Sequence, residues 1–422
     1  MTTILPLFLL YIGLTGRHRA GLGQRLGFLK QLDSATDRSP RLWIHAASVG
    51  EVKAARILIS EIRKKLPDAA IIVSTMTEQG QLVARQQLDP EIHCIYAPID
   101  LPVIARRAMR KIRPSVYICL ETELWPNIII QAIRAGVRPI LLNGRLSERS
   151  FRRYKKVRGL MKEVLARFSA ISVITTDDKK KFTALGADPE KVVVHGNVKY
   201  DFAPASYCAE ETGKENLPQR YRNRLEIGDN QPVLVAGSTH TGEEAQIMEV
   251  FKALETRVGD LILVIAPRHL NRLAEIETLF QDHGIRFDRL SNIEDNNRKE
   301  NVILVDSMGE LAGLYSVATF VFCGGSLVPQ GGHNIMEPAA WGRPVFYGPS
   351  MKDFADAKEL LESVKAGFQI SGPGELTKSI LNFIERPGEY EAAGQRACEI
   401  AMAQQGAAQK QVQLIVDCLS CE

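Results

Sequence analysis

Short runs of β-branched and apolar residues alternate with polar stretches of helical periodicity along the whole chain. No other feature constrains the fold as tightly. In the first half the runs fall at 42–46, 70–74, 92–96, 116–120, 139–142, 171–174 and 192–194. Between them, stretches such as 54–65 and 128–135 place apolar residues at helical spacing. The second half repeats the pattern, with runs at 233–236, 261–265, 302–305, 320–322 and 344–347. Strand–helix alternation predicts parallel sheets with right-handed crossovers. The polar stretch 202–218 contains Pro204, Gly213 and Pro218, breaks the alternation and reads as a linker. The expected architecture is therefore α/β, with doubly wound domains at 1–204 and 205–422. Ligands of such sheets bind outside the C-terminal ends of the strands, so the residues just after each run are the candidates for a site. The final stretch, 390–416, is rich in Ala and Gln and reads as helical.

Charge divides at the same place. The net charge of +4 conceals 33 Lys/Arg against 18 Asp/Glu in residues 1–204, net +15, and 20 against 31 in residues 205–422, net −11. A basic half predicts an anionic partner: nucleic acid, a lipid surface or a phosphorylated substrate. A composition 45% hydrophobic and 24% charged excludes disordered, collagenous and multi-pass membrane chains. The seven Cys form no metal or redox pattern, so free thiols in a reducing compartment are expected. The apolar run at about 4–14 is too short to span a bilayer and is followed, not preceded, by Arg17, Arg19 and Arg25. It reads best as a membrane-surface anchor, with a remnant of a longer spanning helix or a helix packed on the core as the alternatives.

In the second half, Gly237-Ser238-Thr239-His240-Thr241-Gly242-Glu243-Glu244 follows a strand and opens a helix. It suits a phosphate, approached by backbone N–H groups, and equally an ordinary helix cap. It is not a P-loop, since no Gly-Lys-Ser/Thr follows. Arg268, after Pro267 at a strand end, can clamp a phosphate or carboxylate. Met308-Gly309-Glu310 opens another helix and offers free N–H groups. Gly324-Gly325-Ser326 and Gly331-Gly332-His333-Asn334-Ile335-Met336-Glu337-Pro338 combine a glycine-rich strand exit with a helix expected to begin near Asn334. There Glu337 can accept hydrogen bonds from a ribose, or simply stabilise its own helix. No Gly-x-Gly-x-x-Gly is present, which disfavours a nicotinamide cofactor.

In the first half, Ala47-Ser48-Val49-Gly50-Glu51 follows the first run. A carboxylate at that helix start can face an apolar cleft, acquire a raised pKa and act as general base, or merely complement the helix dipole. Glu121-Thr122-Glu123-Leu124-Trp125-Pro126-Asn127 places two carboxylates after a wholly apolar run. Burying both as charges requires basic partners. Glu51 and Glu121 leave strands of one sheet and so can converge. Residues 145–158 hold seven bases against one acid, either a solvated face or a surface for lipid phosphates. Lys199, in Gly196-Asn197-Val198-Lys199-Tyr200-Asp201, lies beside the linker and can oppose developing negative charge.

Taken together, Ala-Ser-Val-Gly-Glu at 47–51, Glu-Thr-Glu-Leu-Trp-Pro-Asn at 121–127, Asn-Gly-Arg-Leu-Ser-Glu-Arg-Ser at 143–150, Gly-Asn-Val-Lys-Tyr-Asp at 196–201, Gly-Ser-Thr-His-x-Gly-Glu-Glu at 237–244 and Gly-Gly-His-Asn-x-x-Glu-Pro-Ala at 331–339 resemble the family of 3-deoxy-D-manno-octulosonic acid (Kdo) transferases. The resemblance runs in order over nearly the whole chain. It implies a GT-B fold, two Rossmann-like domains facing a central cleft, with the acceptor domain first and the CMP-sugar domain second. It implies inverting transfer of Kdo from CMP-Kdo to a lipid A precursor of the lipid IVA type, at the cytoplasmic face of the inner membrane. By that resemblance Glu51 is the general base, Glu121 the second functional carboxylate and Lys199 the motif lysine. The CMP contacts fall on Pro267, Arg268, Met308, Gly309, Glu310, Asn334, Ile335, Met336 and Glu337, and Ser238, Gly325 and Ser326 are further phosphate or sugar candidates. No metal or cofactor is expected, because a nucleoside monophosphate is already a competent leaving group. The apolar N-terminal run is shorter than the usual family anchor, and Gly144 and Met336 stand where other residues are usual.

Two rival readings make different predictions. Another GT-B enzyme, such as a UDP-sugar transferase or epimerase, is competed by UDP rather than CMP. A non-catalytic lipid- or nucleic-acid-binding module shows salt-sensitive binding without sugar transfer. Paired carboxylates at strand exits repel phosphates and disfavour nucleic acid.

Overall fold

The computed structural model describes residues 20–29, 39–201, 216–293 and 297–420. The apolar run at 4–14 and most of the expected linker lie outside these residues. The chain divides into two compact units, 1–201 with 405–422, and 202–404.

The first unit is built on a sheet of β1 (Arg41–His45), β2 (Ala70–Thr75), β3 (His93–Tyr96), β4 (Val116–Leu120), β5 (Arg138–Gly144), β6 (Ala170–Val173) and β7 (Val192–Val194). Its order is β3-β2-β1-β4-β5-β6-β7 and every pairing is parallel. Alternation along the strands supplies two cores, one per face. Trp43, Tyr117 and Cys119 point to the face covered by helices Pro102–Ile112, Pro126–Arg134 and Arg158–Leu165. Leu42, Ile44, Val116, Ile118 and Leu120 point to the face covered by Val49–Lys65, Glu78–Gln87 and Ala407–Ser420.

The second unit repeats the design with β8 (Val233–Thr239), β9 (Ile262–Pro267), β10 (Asp288–Arg289), β11 (Val302–Leu304), β12 (Phe320–Cys323), β13 (Val345–Tyr347) and β14 (Gly367–Gln369). The order is β10-β11-β9-β8-β12-β13-β14, again wholly parallel. The edge strands β10 and β14 were not expected. Each is two or three residues long with no apolar run to announce it.

Two expectations change. Leu217 and Pro218, assigned to the linker, open the helix Leu217–Arg224, whose first turn is capped by the Asn216 side chain accepting from Gln219 N–H. The stretch 390–416 is helical as expected, in two helices, Pro387–Ala403 and Ala407–Ser420, parted at Gly406, which has φ +83°. The second of these belongs to the first unit rather than to a domain running from 205 to 422. Ala407, Ala408, Val412 and Ile415 complete the first unit's core, and the Asp201 carboxylate accepts from the N–H groups of Ala407 and Ala408 at the helix start. Redrawn to these boundaries, the first unit carries a net +14 and the second −10.

Candidate active site

In a sheet ordered β3-β2-β1-β4-β5-β6-β7, the order of the strands reverses between β1 and β4 while all of them stay parallel, and the crevice of a doubly wound fold opens there. Glu51 stands in the first turn after β1 and Glu121 directly after β4. The Glu51 carboxylate is only 6% exposed. It accepts from Ala47 N–H at 2.7 Å and from the Ser48 hydroxyl at 2.9 Å. Burial, then the neighbouring charges of Glu121 and Glu123, push its pKa up to about 8. Glu121 adopts φ +54°, a left-handed conformation that a Glu rarely takes and that aims its side chain at Lys199. Lys199 Nζ meets Glu121 Oε1 at 2.5 Å. Glu51, Glu121 and Lys199, named from sequence, are thus assembled in one place.

Glu123 has its own partners. Trp125 Nε1 donates to it at 2.9 Å, and Nε2 of the buried His45 lies 3.9 Å away. Burial acts to raise this carboxyl, but His45 and Trp125 outweigh it and hold Glu123 below its ordinary value. The loop carrying both carboxylates is fixed at each end. Asp100 accepts from the N–H groups of Asn127 and Ile128, capping the helix Pro126–Arg134, and the Thr122 hydroxyl donates to Arg145 O at 2.8 Å. Beyond it, Arg152, Arg153, Lys155 and Lys156 are exposed on the helix Glu148–Lys156, while Phe151 and Tyr154 pack inward.

In the second unit the reversal lies between β8 and β12, and the expected donor residues gather at the neighbouring strand ends. Glu243 is fully buried and accepts four backbone N–H bonds, from His240, Gly325, Ser326 and Leu327, at 2.7–3.0 Å. It ties the β8 exit, with Ser238 at φ +56°, to the β12 exit. Gly324 permits this approach, since a Cβ there would lie 2.5 Å from Ser238 O. Pro267 is buried at the end of β9, and Arg268 N–H donates to Thr239 O at 3.0 Å, which brings Arg268 beside β8. After β11, Met308 is 71% exposed and Gly309 has φ +94°. Glu310 accepts from Tyr221 Oη at 2.5 Å and Arg224 at 2.9 Å. The helix expected near Asn334 runs Met336–Ala340, with Asn334 Oδ1 accepting from Met336 N–H and Asn334 Nδ2 donating to Glu337.

Three candidates differ in character from the expectation. Ile335 and Met336 are wholly buried, so their side chains belong to the core. Ser326 is buried with its hydroxyl donating to Cys323 O and accepting from Gly348 N–H, and its own N–H donating to Glu243. Its polar groups hold the loop together.

A family model described as 3-deoxy-D-manno-octulosonic-acid transferase (kdotransferase) matches residues 20–202. A 3-deoxy-D-manno-octulosonic acid transferase of Haemophilus influenzae is 32% identical over 415 residues, covering 97% of this chain and 95% of its own length. The chain belongs to the Kdo transferase family. The family's matched segment contains Glu51, Glu121 and Lys199. A bifunctional glycosyltransferase/methyltransferase of Fusobacterium nucleatum is 38% identical over 344 residues, 80% of this chain, and the chain spans 52% of that relative's length. In fold, the chain resembles a UDP-GlcNAc 2-epimerase from Neisseria meningitidis, with a TM-score of 0.63 at 14% identity over 89% of this chain and all of that one. The chain has two Rossmann-like domains of the GT-B class.

Several residues that build this candidate site carry no local signal. Asp100 lies 27 positions before Asn127, in the first turn of the helix it caps, and Gln411 lies 268 positions from Asn143, whose N–H donates to it. His45 ends a strand as an apparent core residue. Glu243 belongs to a local motif that suits a helix cap or a phosphate, yet three of its four partners lie more than 80 positions away.

Proposed function

We propose that the protein transfers Kdo from CMP-Kdo to a glucosamine hydroxyl of a lipid A precursor, with inversion. The observation that carries the mechanism is the buried Glu51 carboxylate, pushed up to about 8, beside the Glu121–Lys199 pair. A base in that range matches the task of removing a hydroxyl proton near neutral pH. Glu51 takes the proton of the acceptor hydroxyl. That oxygen attacks the anomeric carbon of Kdo from the face opposite CMP, the carbon–phosphate oxygen bond breaks, and CMP departs with the electron pair. Glu121, held by Lys199, orients the acceptor. Arg268 and the residues Asn334–Glu337 face the departing phosphate, and the exposed Met308 and Gly309 border the nucleotide.

The decisive experiment is mass spectrometry of lipid IVA incubated with the protein and CMP-Kdo. Lipid gaining Kdo supports the reading; turnover of a UDP-sugar instead overturns it. The pH dependence follows from the Glu51 shift. The carboxylate must be ionised to act, so kcat/KM falls about tenfold for each pH unit below about 8 and levels off above it. A rate that is flat between about pH 6 and 9 contradicts Glu51 as the base.

We further assign the protein to the cytoplasmic face of the inner membrane. The basic first unit, net +14, supports this, as does the exposed face of Glu148–Lys156 followed by exposed Val157 and Leu160. Among the described residues no helix is long and apolar enough to cross a membrane. At about 1 kcal/mol per basic residue near an anionic surface, reversing Arg152, Arg153, Lys155 and Lys156 to Glu weakens binding to anionic vesicles by at least about a hundredfold. Unchanged vesicle binding refutes this surface.

A further inference from the structure

The C-terminal helix does more than complete the first unit's core. Gln411, in its second turn, is fully buried in a layer of apolar neighbours that includes Ala408, Val412 and Ile415. A buried amide must find partners for its oxygen and its nitrogen. Gln411 Oε1 accepts from Asn143 N–H at 2.9 Å, and Nε2 donates to Gly196 O at 3.1 Å. Asn143 itself stands in the left-handed region at φ +53°, and its Oδ1 accepts from Val198 N–H at 3.0 Å. One residue further on, the Asn197 side chain accepts from Lys199 N–H at 3.1 Å. The segment 196–199 is therefore held at Gly196 by Gln411, at Val198 by Asn143 and at Lys199 by its own Asn197. At the end of this chain of bonds, Lys199 Nζ meets Glu121.

We propose that Gln411 is a positioning residue for Lys199: through Asn143 and Gly196 it holds the turn that presents the ε-amine to Glu121. The amide stands among apolar side chains, where it satisfies two backbone groups that a hydrophobe would leave unpaired. The amide is needed only because two backbone groups beside the site must be held in register. This inference rests on the proposed roles of Lys199 and Glu121, and its test separates the two claims.

The experiment compares Gln411→Met, which keeps the volume and removes both hydrogen bonds, with Val412→Ala, which thins the same helix's core contact and leaves the network intact. The first readout needs no substrate. Competitive acetylation of the folded protein, followed by peptide mass spectrometry, reports the reactivity of Lys199, which is 22% exposed in its pair. In Gln411→Met, Lys199 labels several-fold faster than in the native protein; in Val412→Ala it labels at the native rate. The second readout is transfer. Displacement of a site group by about an ångström costs up to about a hundredfold, so kcat of Gln411→Met falls tenfold or more while KM for CMP-Kdo stays. Val412→Ala lowers the melting temperature but keeps kcat. Native labelling of Lys199 in Gln411→Met overturns the positioning role. Faster labelling with full turnover keeps that role and instead removes Lys199 from the mechanism.

Discussion

Glu51→Gln loses about 10²–10⁴-fold in transfer rate, the range a positioned general base contributes, and at alkaline pH it is more stable than the native protein. The two effects share a cause. Glu51 is buried among the charges of Glu121 and Glu123, so in the fold its carboxyl is pushed from 4.5 to about 8. The folded state thus binds this proton more tightly than the unfolded chain does. The stability that it confers is complete below about pH 4.5 and is lost as pH rises to about 8, at about 1.4 kcal/mol for each unit of the rise. A Gln at 51 keeps an oxygen for Ala47 N–H and has no proton to lose. Its advantage in thermal melts is absent near pH 4.5, grows through neutrality and is full by pH 9. Binding of CMP-Kdo is retained, because the expected donor residues lie in the other unit. A Gln variant that turns over at the native rate, or that gains nothing in stability between pH 5 and pH 9, contradicts this account.

The second large effect is structural and falls in the second unit. Glu243→Ala leaves four backbone donors without their acceptor, those of His240, Gly325, Ser326 and Leu327. Orphaned buried donors cost about 1–3 kcal/mol each, and water entering the space recovers part of that. The net loss is at least about 4 kcal/mol, beyond the range of an ordinary surface change. In a unit of this size that lowers the melting transition by about 10 °C or more. Glu243→Gln falls between, because an amide oxygen still accepts while the amide nitrogen cannot. Donor binding weakens in both variants, since the strand exits carrying Ser238 and Gly325 are no longer tied together. A melting temperature within about 2 °C of the native value in Glu243→Ala would show that the carboxylate is dispensable.

Much of this candidate site is legible in the sequence. Glu51 and Glu121 stood out because each follows an apolar run, and parallel strands deliver all their exits to one edge of the sheet. The order of the strands, which makes β1 and β4 neighbours, then turns two separate exits into one crevice. The partner required by two adjacent carboxylates was also anticipated in kind, but not in detail. Lys199 serves Glu121 across 78 positions, while Glu123 relies on His45 and Trp125 instead of a permanent cation. For Glu243 both readings of its motif stayed open, helix cap or phosphate cradle. The carboxylate does cap, accepting from His240 N–H, but its main work is to fasten the loop after β12. Ser326 looked like a ligand contact because it follows two glycines; it is spent on holding that same loop.

The sequence by itself determined the class of the fold, the edge of each sheet at which the candidate residues lie and the family to which the chain belongs. Those properties are local: apolar periodicity within ten residues, glycines and carboxylates within one turn of a strand end. Tertiary structure alone decided which carboxylate is starved of water and which is paired, because burial and charge proximity sum over residues far apart in the chain. It also decided that the last helix returns to the first unit. The buried Gln411 and the Asp201 cap tie it to the turn that holds Lys199, and Ala407, Ala408, Val412 and Ile415 pack into that unit's core.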